Sequence, residues 1–280
     1  MYNISEKEKS KEVDEMEQTV KLNADTKPDE EHVVKMWTPF DIKVDESYEF
    51  IPKNQAFIRF SNGLKAFAVH ALSVLTKLVF GLEVEGRENL EKVKGKGYIT
   101  VCNHVNFLDC GMVSVALKRS DIVFTTIKEN FEIPLVRHII KALGAIPIPC
   151  GIKAMQKFSE AVETLLKKGQ AVHFYPEGVM IPYYNGLRGF RKGAFYYAVR
   201  SDVPVVPMVI TYHKPTSMLK KKPVAKIHIL EPVYPDSELS EKEQIKALKT
   251  EVFNCMNDKF NSVDCLKDNT AVIEKYHLDK

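Results

Sequence analysis

Three short segments of this sequence group side chains that can do chemistry. The first, Asn103-His104-Val105-Asn106-Phe107-Leu108-Asp109, places a carboxylate five positions after an imidazole. A carboxylate bonded to one ring nitrogen fixes the tautomer and leaves the other nitrogen free as a base. The second is Phe174-Tyr175-Pro176-Glu177-Gly178. Pro176 ends a strand by removing a donor, and Gly178 permits a tight turn or a close backbone approach. Glu177 is thereby offered at a strand end, where it can accept hydrogen bonds from the hydroxyls of a polyol. The third, Gly186-Leu187-Arg188-Gly189-Phe190-Arg191-Lys192-Gly193, holds three cations within five residues ahead of a helix, a combination suited to phosphate. Taken singly, each has an ordinary structural reading: a capped helix, a turn, a solvated basic loop.

The elements that must position these residues follow from periodicity. Residues 98–102, 122–126, 171–175, 205–210 and 226–230 read as short buried strands. Residues 106–118, 133–142, 153–168, 190–200 and 240–260 read as helices. Such alternation predicts an α/β fold, a central mostly parallel or mixed sheet flanked by helices. Both the His104 and the Glu177 segments directly follow predicted strands, where sites form in sheets of this class. Val203-Pro204-Val205-Val206-Pro207-Met208 reads as structural.

Upstream, residues 57–80 place Asn62, Lys65, His70, Ser73, Thr76 and Lys77 on one helical arc. Leu64, Phe67, Ala68, Ala71, Leu72, Val74, Leu75, Leu78 and Val79 fall on the other, continued by Phe57 and Phe60. Such a helix lies in a membrane interface or packs on its own core. No uninterrupted run of 18 apolar residues occurs, so no ordinary spanning helix is expected. Residues 1–50 read as a charged extension, partly disordered, whose Trp37, Phe40, Tyr48 and Phe50 suggest that its second half docks. The expected organisation is this extension, an amphipathic anchoring region at 51–82, a catalytic domain at 83–235 and a C-terminal helical segment at 236–280.

With 45% hydrophobic and 28% charged residues in 280, the balance is globular, and a net charge of +3 gives no reason to expect nucleic acid. The first residues lack an apolar run of signal-peptide type. The five cysteines form no C-x-x-C pair, which argues against a disulfide framework or a zinc site. Cys102 and Cys110 flank His104, so a Cys–His nucleophile is an alternative, although thiols among apolar neighbours are usually inert. No Gly-x-Ser-x-Gly and no P-loop occurs, which disfavours a serine hydrolase and a nucleotide enzyme.

The order of the segments is more telling than any one of them. Asn-His-x-x-x-x-Asp, then Pro-Glu-Gly about seventy residues on, then Phe190-Arg191-Lys192-Gly193-Ala194-Phe195, then Val203-Pro204-Val205-Val206-Pro207, resembles the glycerolipid acyltransferase family, its 1-acylglycerol-3-phosphate type above all. The resemblance spans roughly residues 85 to 232. It implies direct acyl transfer from acyl-CoA or acyl carrier protein, as co-substrate, to a lipid hydroxyl. It implies no further cofactor and no metal. His104 would deprotonate the hydroxyl and Asp109 would orient His104. Glu177 and Gly178 would serve the acceptor, and Asn103, Arg188, Arg191 and Lys192 are expected as further substrate-binding residues. Independently of the resemblance, a tetrahedral oxyanion needs donors, expected among backbone amides near the start of the His104 helix. The implied partners are a membrane lipid acceptor, the acyl donor and the membrane surface, with the protein peripheral or monotopic on the cytoplasmic face.

Two blocks depart from the family pattern. Gly144-Ala145-Ile146-Pro147-Ile148-Pro149-Cys150 lacks the arginine that ends the usual Gly-x-x-Phe-Ile-x-Arg. Pro-Glu-Gly continues into Val179-Met180 instead of Thr-Arg. Both missing arginines are ones the family turns toward the acceptor phosphate. Arg188, Arg191 and Lys192 are possible substitutes, and Lys153 is close to the altered second block. The departures leave the reaction type and open the acceptor to another lysolipid or lipid-linked hydroxyl, or the scaffold to a silent lipid-binding role. Lys220-Lys221-Lys222 reads as a surface loop able to touch anionic lipid.

Overall fold

The structure, a computed structural model, describes residues 37–119, 121–215 and 223–276. Residues 1–36 of the charged extension and Lys220-Lys221-Lys222 lie outside them.

Among the described residues seven strands form one sheet: β1 Glu83–Glu85, β2 Tyr98–Cys102, β3 Val123–Ile127, β4 Ile146–Ile148, β5 Ala171–Phe174, β6 Val205–His213 and β7 Val224–Ile229. Their order is β1-β7-β6-β2-β5-β3-β4. The pairs β2/β5, β2/β6, β3/β5, β3/β4 and β1/β7 are parallel, and β6/β7 is antiparallel. The sheet is therefore mixed and mostly parallel, as the alternation of elements predicts.

β2 is buried along its whole length, as a central strand covered on both faces must be. Ile99 and Val101 point into one core and Tyr98 and Cys102 into the other. The first core is closed by helices α4 (Ile152–Lys167), α5 (Gly193–Arg200) and α6 (Glu241–Ser262), through Phe158, Val162, Phe195, Val252 and Met256. The second is closed by α2 (Asp109–Leu117), through Met112, Val113 and Ala116, with α1 (Gln55–Phe80) packed outside it. Helix α3 (Val136–Ala142) lies toward the β3–β4 edge and α7 (Thr270–Tyr276) ends the described chain. The C-terminal helix α6 thus belongs to the same core as the strands. So does part of the extension: Phe50 is buried and meets Phe158 edge-on at 5.6 Å, while Trp37 is exposed.

Strands β1 and β4 were not expected, whereas α7 falls within the segment 236–280 expected to be helical. Each strand is three residues long, β1 carries two glutamates and β4 a proline, so neither shows a strand pattern.

Helix α1 starts where Asn54 Oδ1 accepts the Ala56 and Phe57 amides at 2.9 and 3.1 Å, and stops at Gly81, whose φ is 60°. At 26 residues it is long and apolar enough to cross a membrane, which corrects the expectation that no segment would be. The few interruptions, such as Lys65 and Lys77, break the run without making the helix polar. Its docking line also differs from the expected division. Thr76, on the polar arc, is fully buried and gives its hydroxyl to Leu72 O at 2.7 Å. Leu72 packs on Gly111, where a Cβ would fall 3.1 Å from its methyl carbon. The apolar arc is left open instead: Phe60, Phe67, Val74, Leu75 and Leu78 are all exposed, Leu78 by 78%.

Candidate active site

Because β2 and β5 pair in parallel with Val101 opposite Phe174, continuing that register by three residues brings His104 beside Glu177. The chain does this: the His104 amide donates to Glu177 Oε2 at 3.3 Å. The two motifs, far apart in sequence, are therefore adjacent at the carboxyl ends of two neighbouring strands.

His104 Nδ1 lies 3.0 Å from Asp109 Oδ2. The same oxygen accepts the Val105 and Asn106 amides at 2.7 and 2.9 Å, so the carboxylate knots together the loop that carries the histidine. Asp109 is fully buried, whereas the His104 side chain is 24% exposed. A proton on Nδ1, donated to Asp109, leaves Nε2 as the acceptor on this partly exposed ring. Burial pushes the Asp109 carboxyl upward in pKa, while the His104 hydrogen bond and the two amides draw it back.

Tyr175 stacks on His104 with ring centroids 3.8 Å apart and planes 12° from parallel. His173 meets the edge of Tyr175 at 4.5 Å and bonds Thr100 Oγ1 through Nδ1 at 2.6 Å. Burial, seconded by the charge of His104, lowers the His173 pKa to about 3, so this ring is neutral. Sequence reasoning gave Tyr175 and His173 no role, although Tyr175 lies inside the recognised Phe-Tyr-Pro-Glu-Gly segment. Asp109 Oδ1, His173 Nε2 and the Tyr175 hydroxyl are buried without a hydrogen-bond partner among the described residues.

Several expected contacts are placed differently. Asn103, expected at the substrate, is fully buried; it donates to Ile210 O at 2.9 Å and accepts from Ile210 N at 2.8 Å, pinning the end of β2 to β6. Glu177, expected to meet a polyol, is buried and holds three donors: the His104 amide, the Arg188 amide at 3.1 Å and the Arg188 guanidinium. Burial raises its pKa and Arg188 opposes that rise. The Arg188 guanidinium also donates to Val179 O, so this arginine clamps the turn. Arg191 is the cation that reaches the Pro-Glu-Gly backbone. A Cβ on Gly178, whose φ is 81°, would fall 2.3 Å from its Nε, and the Arg191 amide donates to Pro176 O at 2.7 Å. Lys192 is exposed at the head of α5. Lys153 is exposed and 3.9 Å from Glu46.

Most amides of the loop that leads into α2, where an oxyanion was expected to bind, are engaged. Those of His104, Val105, Asn106, Leu108 and Asp109 all donate within the protein, to Glu177, Asp109, Asp109, Asn106 Oδ1 and Asn106 O. The Phe107 amide is the remaining donor of the loop, and its side chain is exposed. The Cys102 thiol is fully buried and pushed well up in pKa by burial, which removes it as a nucleophile. Among the described residues no three His, Cys, Asp or Glu side chains gather as a metal-ligand group.

This arrangement can take a proton from a hydroxyl at His104 Nε2, next to cations on the neighbouring loop. Comparison with known proteins bears on the family and the fold. The family described as Acyltransferase matches residues 81–211. The chain is similar to 1-acyl-sn-glycerol-3-phosphate acyltransferase alpha of Mus musculus, 25% identical over 73% of this chain and 74% of that protein. It is 33% identical to the chloroplastic 1-acyl-sn-glycerol-3-phosphate acyltransferase of Brassica napus, over 46% of this chain and only 36% of that one. Its fold is that of PlsC from Thermotoga maritima, solved as a 1-acyl-sn-glycerophosphate acyltransferase. The two superpose with a TM-score of 0.51 at 23% identity, covering 76% of this chain and 86% of the other. The matched stretch, residues 81–211, contains His104, Asp109 and Glu177, so the likeness to the Acyltransferase family falls on the part of the chain that builds this site.

Proposed function

We propose that the chain moves a fatty acyl group from an acyl-CoA or acyl carrier protein thioester to the free hydroxyl of 1-acylglycerol 3-phosphate, giving phosphatidic acid. The observation that carries this reading is the His104–Asp109 pair at the end of β2, set beside the turn on which Arg191 lies. An alcohol is a poor nucleophile at neutral pH, so a positioned base is the first requirement. In this mechanism His104 Nε2 takes the hydroxyl proton as the oxygen attacks the thioester carbonyl. The imidazolium that forms is balanced by Asp109. The tetrahedral oxyanion is met by the Phe107 amide, and collapse expels the thiolate, which receives the proton from His104. Arg191 and Lys192, with the close approach allowed at Gly178, take the acceptor phosphate. Asn103, Glu177 and Arg188 are positioning residues.

The open apolar arc of α1 supports a membrane-surface location. Phe60, Phe67, Val74 and Leu78 would enter the acyl boundary, with the protein on the cytoplasmic face. One observation favours a second acceptor class. Cys150 and Met180 stand where the family has arginines, and Arg188 is committed to Glu177, so another lysolipid or lipid-linked hydroxyl fits the same chemistry. An acceptor panel with purified protein and both thioester donors, read by lipid mass spectrometry, separates the two. Phosphatidic acid as the main product supports the first reading, and its absence beside a different acylated lipid replaces it with the second.

A further inference from the structure

A second basic surface lies away from His104. A groove of about 540 Å³ separates the flank of α1 from β1 and the far end of α2. Its polar lining is His70, Ser73 and Lys77 from α1, Arg87 from the turn after β1, and Lys118 just past α2, and among the described residues no Asp or Glu lines it. Lys118 is nine residues beyond Asp109, about 13 Å along a helix rising 1.5 Å per residue, so the groove is separate from the acyl-transfer site. Arg87 has a structural task. Its Nε donates to Ala116 O at 3.0 Å and its Nη2 to Val115 O at 3.2 Å, capping the C-terminus of α2. Lys77, Lys118 and His70 have no ion-pair or hydrogen-bond partner among the described residues. The C-terminal ends of α1 and α2 favour cations, but each supplies only about half an elementary charge, and Arg87 already serves that of α2. Like charges gathered without counter-charge call for an anion.

We propose that this groove binds the phosphate of an anionic lipid headgroup and sets a preference for negatively charged membranes. The proposal rests on the membrane-surface reading of α1. At 100° per residue, His70, Ser73 and Lys77 form a row between the docked line of the helix and its open apolar arc. With Phe60, Phe67, Val74 and Leu78 in the acyl boundary, that row lies at headgroup depth, where lysines extend toward lipid phosphates. A basic residue there strengthens partition onto anionic bilayers several-fold.

The test is cosedimentation of the full chain with vesicles of phosphatidylcholine alone and of equal parts phosphatidylcholine and phosphatidylglycerol. The wild type should partition more strongly onto the mixed vesicles. Lys77→Gln with Lys118→Gln should cut mixed-vesicle binding by roughly tenfold or more while leaving phosphatidylcholine binding unchanged, and the two Lys→Arg changes should retain it. Inorganic phosphate at constant ionic strength should not displace the protein; displacement would make the ligand a free anion and overturn the headgroup assignment. Equal wild-type binding to both vesicles, or a gain that survives in the double glutamine variant, would also overturn it. Phe67→Asp with Leu78→Asp reports separately on the apolar arc. If these changes leave phosphatidylcholine binding intact, the membrane reading of α1 fails, whereas the lysine result bears on the groove.

Discussion

Replacing Asp109 by Asn tests the pairing on which the proposed chemistry depends. Asp109 Oδ2 accepts His104 Nδ1 at 3.0 Å and two backbone amides at 2.7 and 2.9 Å. An asparagine oxygen can occupy that position and keep all three bonds, while its amide nitrogen falls where the partnerless Oδ1 now sits. The loop should therefore stay folded, and removing a fully buried charge offsets part of the lost bond strength. What disappears is the counter-charge to an imidazolium. Two unit charges about 3 Å apart attract by roughly 5 kcal/mol at an effective dielectric of 20. Solvent relaxation reduces this, leaving about 3–5 kcal/mol on the barrier, or a 10²- to 10⁴-fold fall in kcat. The assay is steady-state acyl transfer to 1-acylglycerol 3-phosphate with the acceptor varied, alongside a thermal melt. A variant that melts like the wild type and keeps kcat within about threefold would refute the role given to Asp109. A loss expressed only in the acceptor KM would refute it equally.

Other perturbations probe the frame around the pair. Arg188→Ala leaves Glu177 buried without its guanidinium and should cost about 3–5 kcal/mol in denaturant unfolding. Adding Glu177→Gln should recover part of that, and a wild-type midpoint for the single variant would contradict the clamp. Gly178→Ala would drive a Cβ to 2.3 Å from Arg191 Nε. It should raise the acceptor KM more than the donor KM, and unchanged kinetics would remove Arg191 from the acceptor side. His173 binds its proton far less readily in the folded chain, about 3, than the ordinary histidine value of 6.5. The unfolded chain takes up that proton first, so this stabilisation is complete above pH 6.5 and is lost as pH falls toward about 3. Urea midpoints between pH 7 and pH 5 should fall more steeply for the wild type than for His173→Gln, and parallel curves would count against it.

Much of the frame is legible in the residues. Tyr98–Cys102 is a short apolar run that reads as a central strand, and α4 and α5 follow from their own periodicity, whereas α2, buried on almost every side, shows none. His104 and Asp109 are separated by so few residues that their meeting is a local property of the loop. The apposition of Glu177 and His104 is not local. It depends on the β2/β5 register, and nothing in either segment states which strands pair. Asn103 and Glu177 illustrate a second limit. A polar side chain that contacts a ligand and one that pins a neighbouring backbone look alike in sequence, and here both are buried in the frame. The stacking of Tyr175 on His104 was invisible for the same reason. In α1 the periodicity identified the helix but not its docking line. That line is set by Gly111, which lets Leu72 approach, and by the buried hydroxyls of Ser61 and Thr76.

The central claim is that His104 deprotonates the acceptor hydroxyl. It is tested most directly by measuring phosphatidic acid formed from 1-acylglycerol 3-phosphate and an acyl thioester by wild-type and His104→Ala protein, prepared in parallel and matched by circular dichroism. A folded variant whose turnover falls by about 10²- to 10⁴-fold, with acceptor binding retained, is the predicted result. A folded His104→Ala protein that forms phosphatidic acid at a rate close to the wild type would contradict it.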